Sequence, residues 1–487
     1  MSSPAVGAAP EPSKQYSAAS ALGLAFVLIS PVIALFSIMH LMIMTDGPRS
    51  IFALLIVLGF QFVVAFSLAE LASKWPVEGG GYQWVIRLIG PRAGWIAGWL
   101  YLCAMVIAAG SLATSSVSFF EIVFDTTLDR GQSLLFSAVF VIAATAVNIA
   151  GPRFMKLAVA VSLGVEFVAS VVVSLVLLAF FRVQPLSVLG DGLGLGGSFL
   201  VGGSFLSVVA IAGWAFVGFE SATDLAEEVR APRKALPIAI VGSLLGIGVL
   251  VLLSFVAIAL AVPDYGELVN GNQDDVVSYV LASHLGEWAP RAFYVLILLS
   301  FFAGVVTLVA GASRVTWSFA RDGKLPRSDW TVRLRGRRKV PVHAMVVVGV
   351  ATFIVAVSSL QDQFYALMVG YVTFGFFLIL WNAMLARMVR LIRRHPLDLS
   401  GSFSLGRFSA PASIFAFCWL TFALVNVAWP RDIGAPWYVE WMVLIAFGVL
   451  AAVGALIGYR YRDQHVMPDA AEHDNHHRAT ELALSHT

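Results

Sequence analysis

Twelve long apolar stretches leave this chain almost no way to fold in water. They lie near residues 21–45, 50–73, 91–119, 133–149, 156–181, 200–225, 237–262, 289–312, 341–359, 364–386, 409–429 and 440–459. A helix of about 20 apolar residues spans the hydrocarbon of a bilayer. The stretches are continuous instead of alternating, which predicts membrane helices and not a barrel. Composition agrees: 59% of the 487 residues are hydrophobic and only 12% are charged, against about a quarter charged in soluble proteins. Cys103 and Cys418 both fall inside apolar stretches, with no metal-ligand spacing and no disulfide pattern, and read as packing thiols.

An even number of crossings puts both termini on one side. With the termini inside, 26 of the 31 Lys and Arg residues lie on the inner side, and only Arg49, Arg130, Arg182, Arg291 and Arg431 lie outside. This asymmetry predicts cytoplasmic termini in the cell's inner (cytoplasmic) membrane. It also explains the basic run "RLRGRRK" (333–339) as a topology signal facing anionic lipid, not a nucleic-acid patch. Residues 1–19 are polar, and the apolar run after them is too long for a cleavable signal. They are expected to form a disordered cytoplasmic tail, as are residues 462–487. There "EHDNHH" (472–477) reads either as a weak metal site or as a solvated end. The longest polar insertions, Pro263–Trp288 and Ser313–Val340, leave no room for a soluble domain.

Ionisable residues inside apolar segments are expensive and therefore functional candidates. They are Glu70 near the inner end of the second segment, Glu166 in the fifth, Glu220 in the sixth and His40 in the outer part of the first. The first and sixth segments are also interrupted, by Ser30-Pro31 and by Val217-Gly218-Phe219. Proline removes a backbone donor, and glycine costs a helix about 1 kcal/mol against alanine. Either interruption alone is explained by a kink or a close helix crossing. Together, five segments apart, they point to an inverted-repeat transporter whose freed N–H and C=O groups hold a solute or ion. An enzyme is less well supported. His40 is the only histidine well inside a segment, and no second histidine or cysteine stands beside it.

Four stretches carry a family likeness: "AELASKWPVEGGGYQWV" (69–85), "GWAFVGFESATDLAEEVRAPRKALPIAI" (213–240), "GASRVTWSFARDGKLP" (311–326) and, more weakly, "TDGP" (45–48). With these the chain resembles the amino acid–polyamine–organocation (APC) permeases, and within them the bacterial amino acid/choline branch. The resemblance implies an all-α integral membrane protein with twelve transmembrane helices. Its core would be a 5+5 inverted repeat of the LeuT type, with helices 1 and 6 broken, plus two extra helices. The repeats would be residues 20–182 (helices 1–5) and 199–395 (helices 6–10), followed by helices 11 and 12 in 408–461. The implied function is secondary active transport of an amino acid or related amine by alternating access, coupled to a proton. A sodium-coupled or exchange carrier for choline, polyamine or another small solute, and a transporter-like nutrient sensor, are the alternatives. No cofactor and no metal are implied; the partners are a small-molecule substrate, a proton and membrane lipid.

The resemblance also places a substrate site between helices 1, 3, 6 and 8. In helix 1, Ser30, Val32, Ile33 and Ala34 would contribute, with the break at Val32-Ile33-Ala34 offering N–H groups to a substrate carboxylate. Many relatives have a glycine-rich stretch there; this chain has bulky Val32 and Ile33. In helix 6, Trp214 matches an aromatic gate, and Ala215, Phe216, Val217 and Gly218 would be unwound backbone. Glu220 matches a proton-sensitive gating glutamate and reads alternatively as a structural partner of the break. Tyr101 reads as pocket lining or as packing, and Trp84, Trp95 and Trp99 as interfacial or packing aromatics. Asp224, Glu227 and Glu228, opposite Arg230, Arg233 and Lys234, read either as an interfacial salt network that locks the inner gate or as a solvated charged end. Glu166 falls where proton-coupled relatives tend to carry a lysine, whose ammonium stands in for a sodium ion. With the charge reversed, it reads as a proton carrier, as part of a cation site or as a polar tie between helices 5 and 1. Thr307 is the one candidate sodium ligand in helix 8.

Overall fold

The computed structural model describes residues 14–195, 203–336, 339–358, 362–393, 402–431 and 436–460, with the backbone alone for Ile29 and residues 362–369. The chain begins with three short helices, α1 (Ala18–Ile29), α2 (Pro31–Phe36) and α3 (Met39–Asp46). Then come α4 (Ile51–Lys74), α5 (Gly80–Leu88), α6 (Pro91–Phe124), α7 (Arg130–Ala150), α8 (Pro152–Glu166) and α9 (Val173–Phe180). The second half holds α10 (Gly203–Trp214), α11 (Pro232–Ala261), α12 (Tyr265–Val269), α13 (Val276–Leu285), α14 (Trp288–Arg321), α15 (Ser328–Thr331), α16 (Val342–Ser358) and α17 (Asp362–Ile392). It closes with α18 (Ser409–Ala428), α19 (Trp437–Glu440) and α20 (Met442–Arg460). Among the described residues there is no strand; two isolated bridges pair Tyr16 with Val229 and Arg335 with Val340.

Among the described residues eleven helical stretches are long and apolar enough to cross a membrane. The ninth apolar segment folds as α16, whose 17 residues span about 26 Å at 1.5 Å per residue, just under a typical hydrocarbon thickness. Helices dominate because lipid offers no partner to a peptide group, and a helix satisfies its own. Where the chain leaves the apolar stretches it stays helical further than hydropathy indicates: α14 runs on through polar residues to Arg321. Both long insertions contain short helices, α12 and α13 in one and α15 in the other. The stretch between the second and third apolar segments folds as α5.

The helices close around α6 and α14, which lie along each other, with α16 and α17 against α6 and α11 against α4 and α1. Glycine allows the closest approaches. A Cβ on Gly110 of α6 would sit 2.5 Å from Val355 Cγ1, and one on Gly375 of α17 only 2.6 Å from the Cβ of Ala104. This small-residue contact is how helices pack where the solvent is as apolar as the side chains. Trp95 and Trp99 belong to the packing, not to an interfacial belt: their indole N–H groups donate to Gly454 O and Leu450 O of α20 at 2.7 and 2.9 Å. Trp84 donates to Trp75 O at 3.1 Å.

The segment ahead of α1 departs from the expected disordered tail. Tyr16 is fully buried, its amide donates to Glu228 O at 3.0 Å, and its carbonyl accepts from the Arg230 amide at 2.8 Å. Residues 1–13, Arg337, Arg338 and the tail with "EHDNHH" lie outside the described residues.

Glu70 is structural. Its carboxylate pairs with Arg387 of α17 at 2.8 Å and accepts from Ser409 Oγ (2.6 Å), Ser404 Oγ (3.1 Å) and the Leu405 amide (2.9 Å). Breaking one side of such a buried pair costs about 3–5 kcal/mol, whereas replacing both sides with apolar groups costs far less. Glu70→Leu and Arg387→Met should each lower the unfolding midpoint of the detergent-solubilised protein, and the double variant should lose less than the sum. Additive losses would show that the pair acts only through separate contacts.

Candidate functional site

The first segment breaks at Ser30, where Ser30-Pro31 interrupts its sequence, and not at Val32-Ile33-Ala34 as the resemblance implied. Ser30 takes φ 44° and ψ 107°, while Val32, Ile33 and Ala34 lie inside α2 and are buried. Pro31 explains the shift: its ring disfavours helical geometry at the residue before it and suits the first turn of the next helix. A second interruption at Ser37–Ile38 separates α2 from α3.

Glu166 closes this break. One carboxylate oxygen accepts from the Ser30 hydroxyl, and the other accepts from the Val32 amide at 3.0 Å. Ser30 Oγ in turn accepts from the Ile33 amide at 3.1 Å, and Ser30 O from the Ala34 amide at 2.7 Å. The Ser300 hydroxyl of α14 approaches the same carboxylate without a formed hydrogen bond. Of the three roles open to Glu166, the tie between the fifth and first segments is thus directly visible. Just past Glu166 the helix widens into a π turn at Phe167–Val172. Ser254 of α11 donates to the carbonyl of Ser170 there, at 3.2 Å. A π turn is common at functional sites, and nothing in the local sequence announced this one.

The sixth segment breaks where the sequence placed it. α10 ends at Trp214, Ala215 and Phe216 form a turn, and Gly218 takes φ 83° before a 3₁₀ stretch at Phe219–Glu228. The amides of Ala215 and Phe216 reach back three residues, to Ala212 O and Gly213 O at 3.1 and 3.2 Å. Phe216 O accepts from Gln61 Nε2 of α4 at 3.4 Å. Ala215, Phe216, Val217 and Gly218 are buried, and Trp214 is half-buried.

Tyr101 of α6 joins this break to two acids. Its hydroxyl lies 3.3 Å from Glu220 Oε1 and 3.1 Å from Asp224 Oδ2. A phenol has one hydrogen to donate, so it cannot serve both fully. Glu220 Oε2 and Asp224 Oδ1 are buried and have no partner. Asp224 therefore does not face the basic cluster as expected. The i, i+4 spacing of Glu220 and Asp224 was the available signal.

Nor do the other two acids of that stretch pair with Arg230, Arg233 and Lys234. Glu228 binds Arg314 at 3.0 Å and Glu227 binds Arg321 at 2.8 Å, both on α14. The sequence missed these partners because both arginines fall on the helical continuation of α14. Glu78, buried between α4 and α5, adds a third carboxyl to these two guanidinium groups, and its amide donates to Glu227 Oε1 at 3.3 Å. Burial, then the charges of Glu228 and Glu227, hold the Glu78 carboxyl well above the usual carboxylate range, against the pull of Arg314 and Arg321.

The remaining candidates do local work. Thr307 bonds within its own helix, donating toward Ala303 O and Gly304 O at 3.1 and 2.9 Å. His40 is half-buried, with its Nδ1 unpartnered. His343, at the edge of the ninth segment, is also buried and stacks on Trp330 with ring centres 4.2 Å apart. Among the described residues no group of three His, Cys, Asp or Glu side chains is arranged to hold a metal ion.

With this geometry in view, comparison with known proteins is informative. A family model described as amino acid permease matches residues 20–451. An uncharacterized amino-acid permease of Schizosaccharomyces pombe is 24% identical over 76% of this chain and 68% of its own length. The choline transporter of Saccharomyces cerevisiae is 24% identical over 86% of this chain and 76% of its own. The branched-chain amino acid permease BcaP of Bacillus subtilis is 23% identical over 86% of this chain and 87% of its own.

The Glu78 cluster makes a pH prediction. A carboxyl whose proton is held more tightly in the folded than in the unfolded protein stabilises the fold at low pH. That contribution is complete below the ordinary carboxylate range and is lost as pH rises through the elevated value. The unfolding midpoint of the wild type should fall over that rise, and Glu78→Gln, which stays neutral, should flatten the slope. Parallel profiles for the two proteins would refute a buried neutral Glu78.

Proposed function

Because this chain belongs to the amino acid permease family, within the APC superfamily, we propose that it is a secondary active transporter for an amino acid or related amine. The observation that carries the proposal is the pair of interrupted apolar segments, at Ser30 and at Ala215–Gly218. Each interrupts the helical hydrogen-bond ladder within an apolar segment, and interrupted segments at corresponding places of two halves are where a transporter of this kind builds its solute site.

In this reading the chain crosses the membrane twelve times, with α16 supplying the crossing that is shortest in hydrocarbon terms. Residues 20–182 and 199–395 form two inverted repeats of a LeuT-type core, and 408–461 add two helices. The excess of Lys and Arg in alternate segments supports cytoplasmic termini in the inner membrane. The solute binds between the breaks, near Ser30, Val32, Ile33, Ala34, Tyr101 and the Trp214–Gly218 turn, with Trp214 as its gate. Relatives divide between choline and branched-chain amino acids, so the family leaves the substrate class open.

Coupling is assigned to a proton. Glu220 and Asp224 face one phenol in a dry setting, and two negative charges so close need a proton or a cation between them. Thr307, the sodium candidate, already spends its hydroxyl on its own helix. Glu166 holds the first break and governs when it opens. On this scheme the Glu228–Arg314 and Glu227–Arg321 pairs lock the inner side.

The test is uptake into proteoliposomes under an imposed pH gradient, with solutes first found by thermal shift, since a ligand of the folded state raises the midpoint. Glu220→Gln should lose gradient-driven accumulation while still binding solute and exchanging it. Concentrative uptake at the wild-type level would remove Glu220 from the coupling step. Trp214→Ala should weaken solute binding about tenfold, equal to 1.4 kcal/mol, and unchanged affinity would remove it as the gate.

A further inference from the structure

The break in the first segment is a place where a solute carboxylate would look for N–H donors. The first turn of a helix leaves its amides without intrahelical partners, and here each one is already engaged. Pro31 has no N–H. The Val32 amide donates to Glu166 Oε2 at 3.0 Å, the Ile33 amide to Ser30 Oγ at 3.1 Å, and the Ala34 amide to Ser30 O at 2.7 Å. The Ser30 hydroxyl gives its own hydrogen to Glu166. The acceptor at this break is a side chain of the protein.

Cationic groups that could hold a solute carboxylate instead are also engaged. Among the described residues the two fully buried arginines, Arg314 and Arg387, bind Glu228 and Glu70 at 3.0 and 2.8 Å. Arg321 binds Glu227 at 2.8 Å. Open acceptors, by contrast, stand beside the second break: Glu220 Oε2 and Asp224 Oδ1 are buried without partners. Apart from the unpartnered hydroxyls of Ser300 and Ser221, the surroundings of the two breaks accept hydrogen bonds and positive charge and offer little to an anion. Bringing in a solute carboxylate would strip Glu166 from Ser30 and Val32 and leave two buried carboxyl groups competing for the same two donors.

From this we infer that Glu166 is a specificity-determining residue: it occupies the position a solute carboxylate would need, so the transported solute is an amine or quaternary ammonium ion without a carboxylate. The inference rests on the proposed site between the two breaks. It narrows "amino acid or related amine" to the second of these, and it follows from the donors around Ser30 independently of how transport is coupled.

Matched pairs of compounds that differ by a carboxylate test it: isoamylamine against leucine, putrescine against ornithine, and choline against glycine betaine. Thermal shift and competition binding are measured on the purified full chain in detergent. For the wild type, one or more of the carboxylate-free members should bind at least tenfold more tightly than its partner. Glu166→Gln removes the charge but keeps an acceptor for the Val32 amide, and should shrink that preference at least tenfold. Ser30→Ala loosens Glu166 and should shift the preference the same way, serving if Glu166→Gln does not fold. Trp214→Ala reports on the site and should weaken every response. If the wild type binds the carboxylate-bearing member as tightly as its partner, and Trp214→Ala weakens both, the role given to Glu166 is wrong while the site stands. If Trp214→Ala leaves all responses unchanged, or no member of any pair binds, the site is wrong and the inference falls with it.

Discussion

A peptide group in hydrocarbon must find its partner inside the protein, and the architecture follows from that requirement. Most of the chain meets it with unbroken helices. At Ser30 it is met by a carboxylate brought from another segment. Glu166 reaches the Ser30 hydroxyl and the Val32 amide, so the donors exposed by the break are satisfied within the protein. The same side chain thus makes the break affordable and fixes α1 and α2 to α8. The sixth segment solves the problem differently, with backward-reaching amides at Ala215 and Phe216 and with Gln61 on the Phe216 carbonyl. One break is closed by an acid, and the other stands next to acids that lack full partners.

The uneven closure links fold to chemistry. A dry interior penalises any charge that is not answered, and this protein answers most of its own in pairs: Glu70 with Arg387, Glu228 with Arg314, Glu227 with Arg321. Glu220 and Asp224 share only the Tyr101 phenol. Unpaired charge inside a membrane protein is usually retained because something arrives to complete it.

Much of this was legible in the sequence, for definable reasons. The membrane class follows from apolar runs too long for any other use, and the break at Ala215–Gly218 from a glycine that takes positive φ at low cost. The break at Ser30 follows from Pro31, which acts on the residue before it, whereas the family pattern implied Val32-Ile33-Ala34, two residues further on. Asp224, Glu227 and Glu228 were matched to nearby basic residues, since sequence proximity was the only guide. Their actual partners, Tyr101, Arg321 and Arg314, come from α6 and α14, about a hundred residues away in each direction. The π turn after Glu166 left no trace in composition.

The burial of Tyr16 has a mechanical consequence. Its backbone is stitched to Glu228 and Arg230 on either side of Val229, and its phenol reaches Met155 Sδ of α8 at 3.4 Å. The strand of chain entering α1 is therefore a strap across the junction between the first, fifth and sixth segments, fastened at the level of the Glu228–Arg314 pair. Any rocking that parts those segments on this face must unfasten the strap or carry it along as one body with α1. The backbone of Tyr16 thereby acquires leverage over the opening of that face.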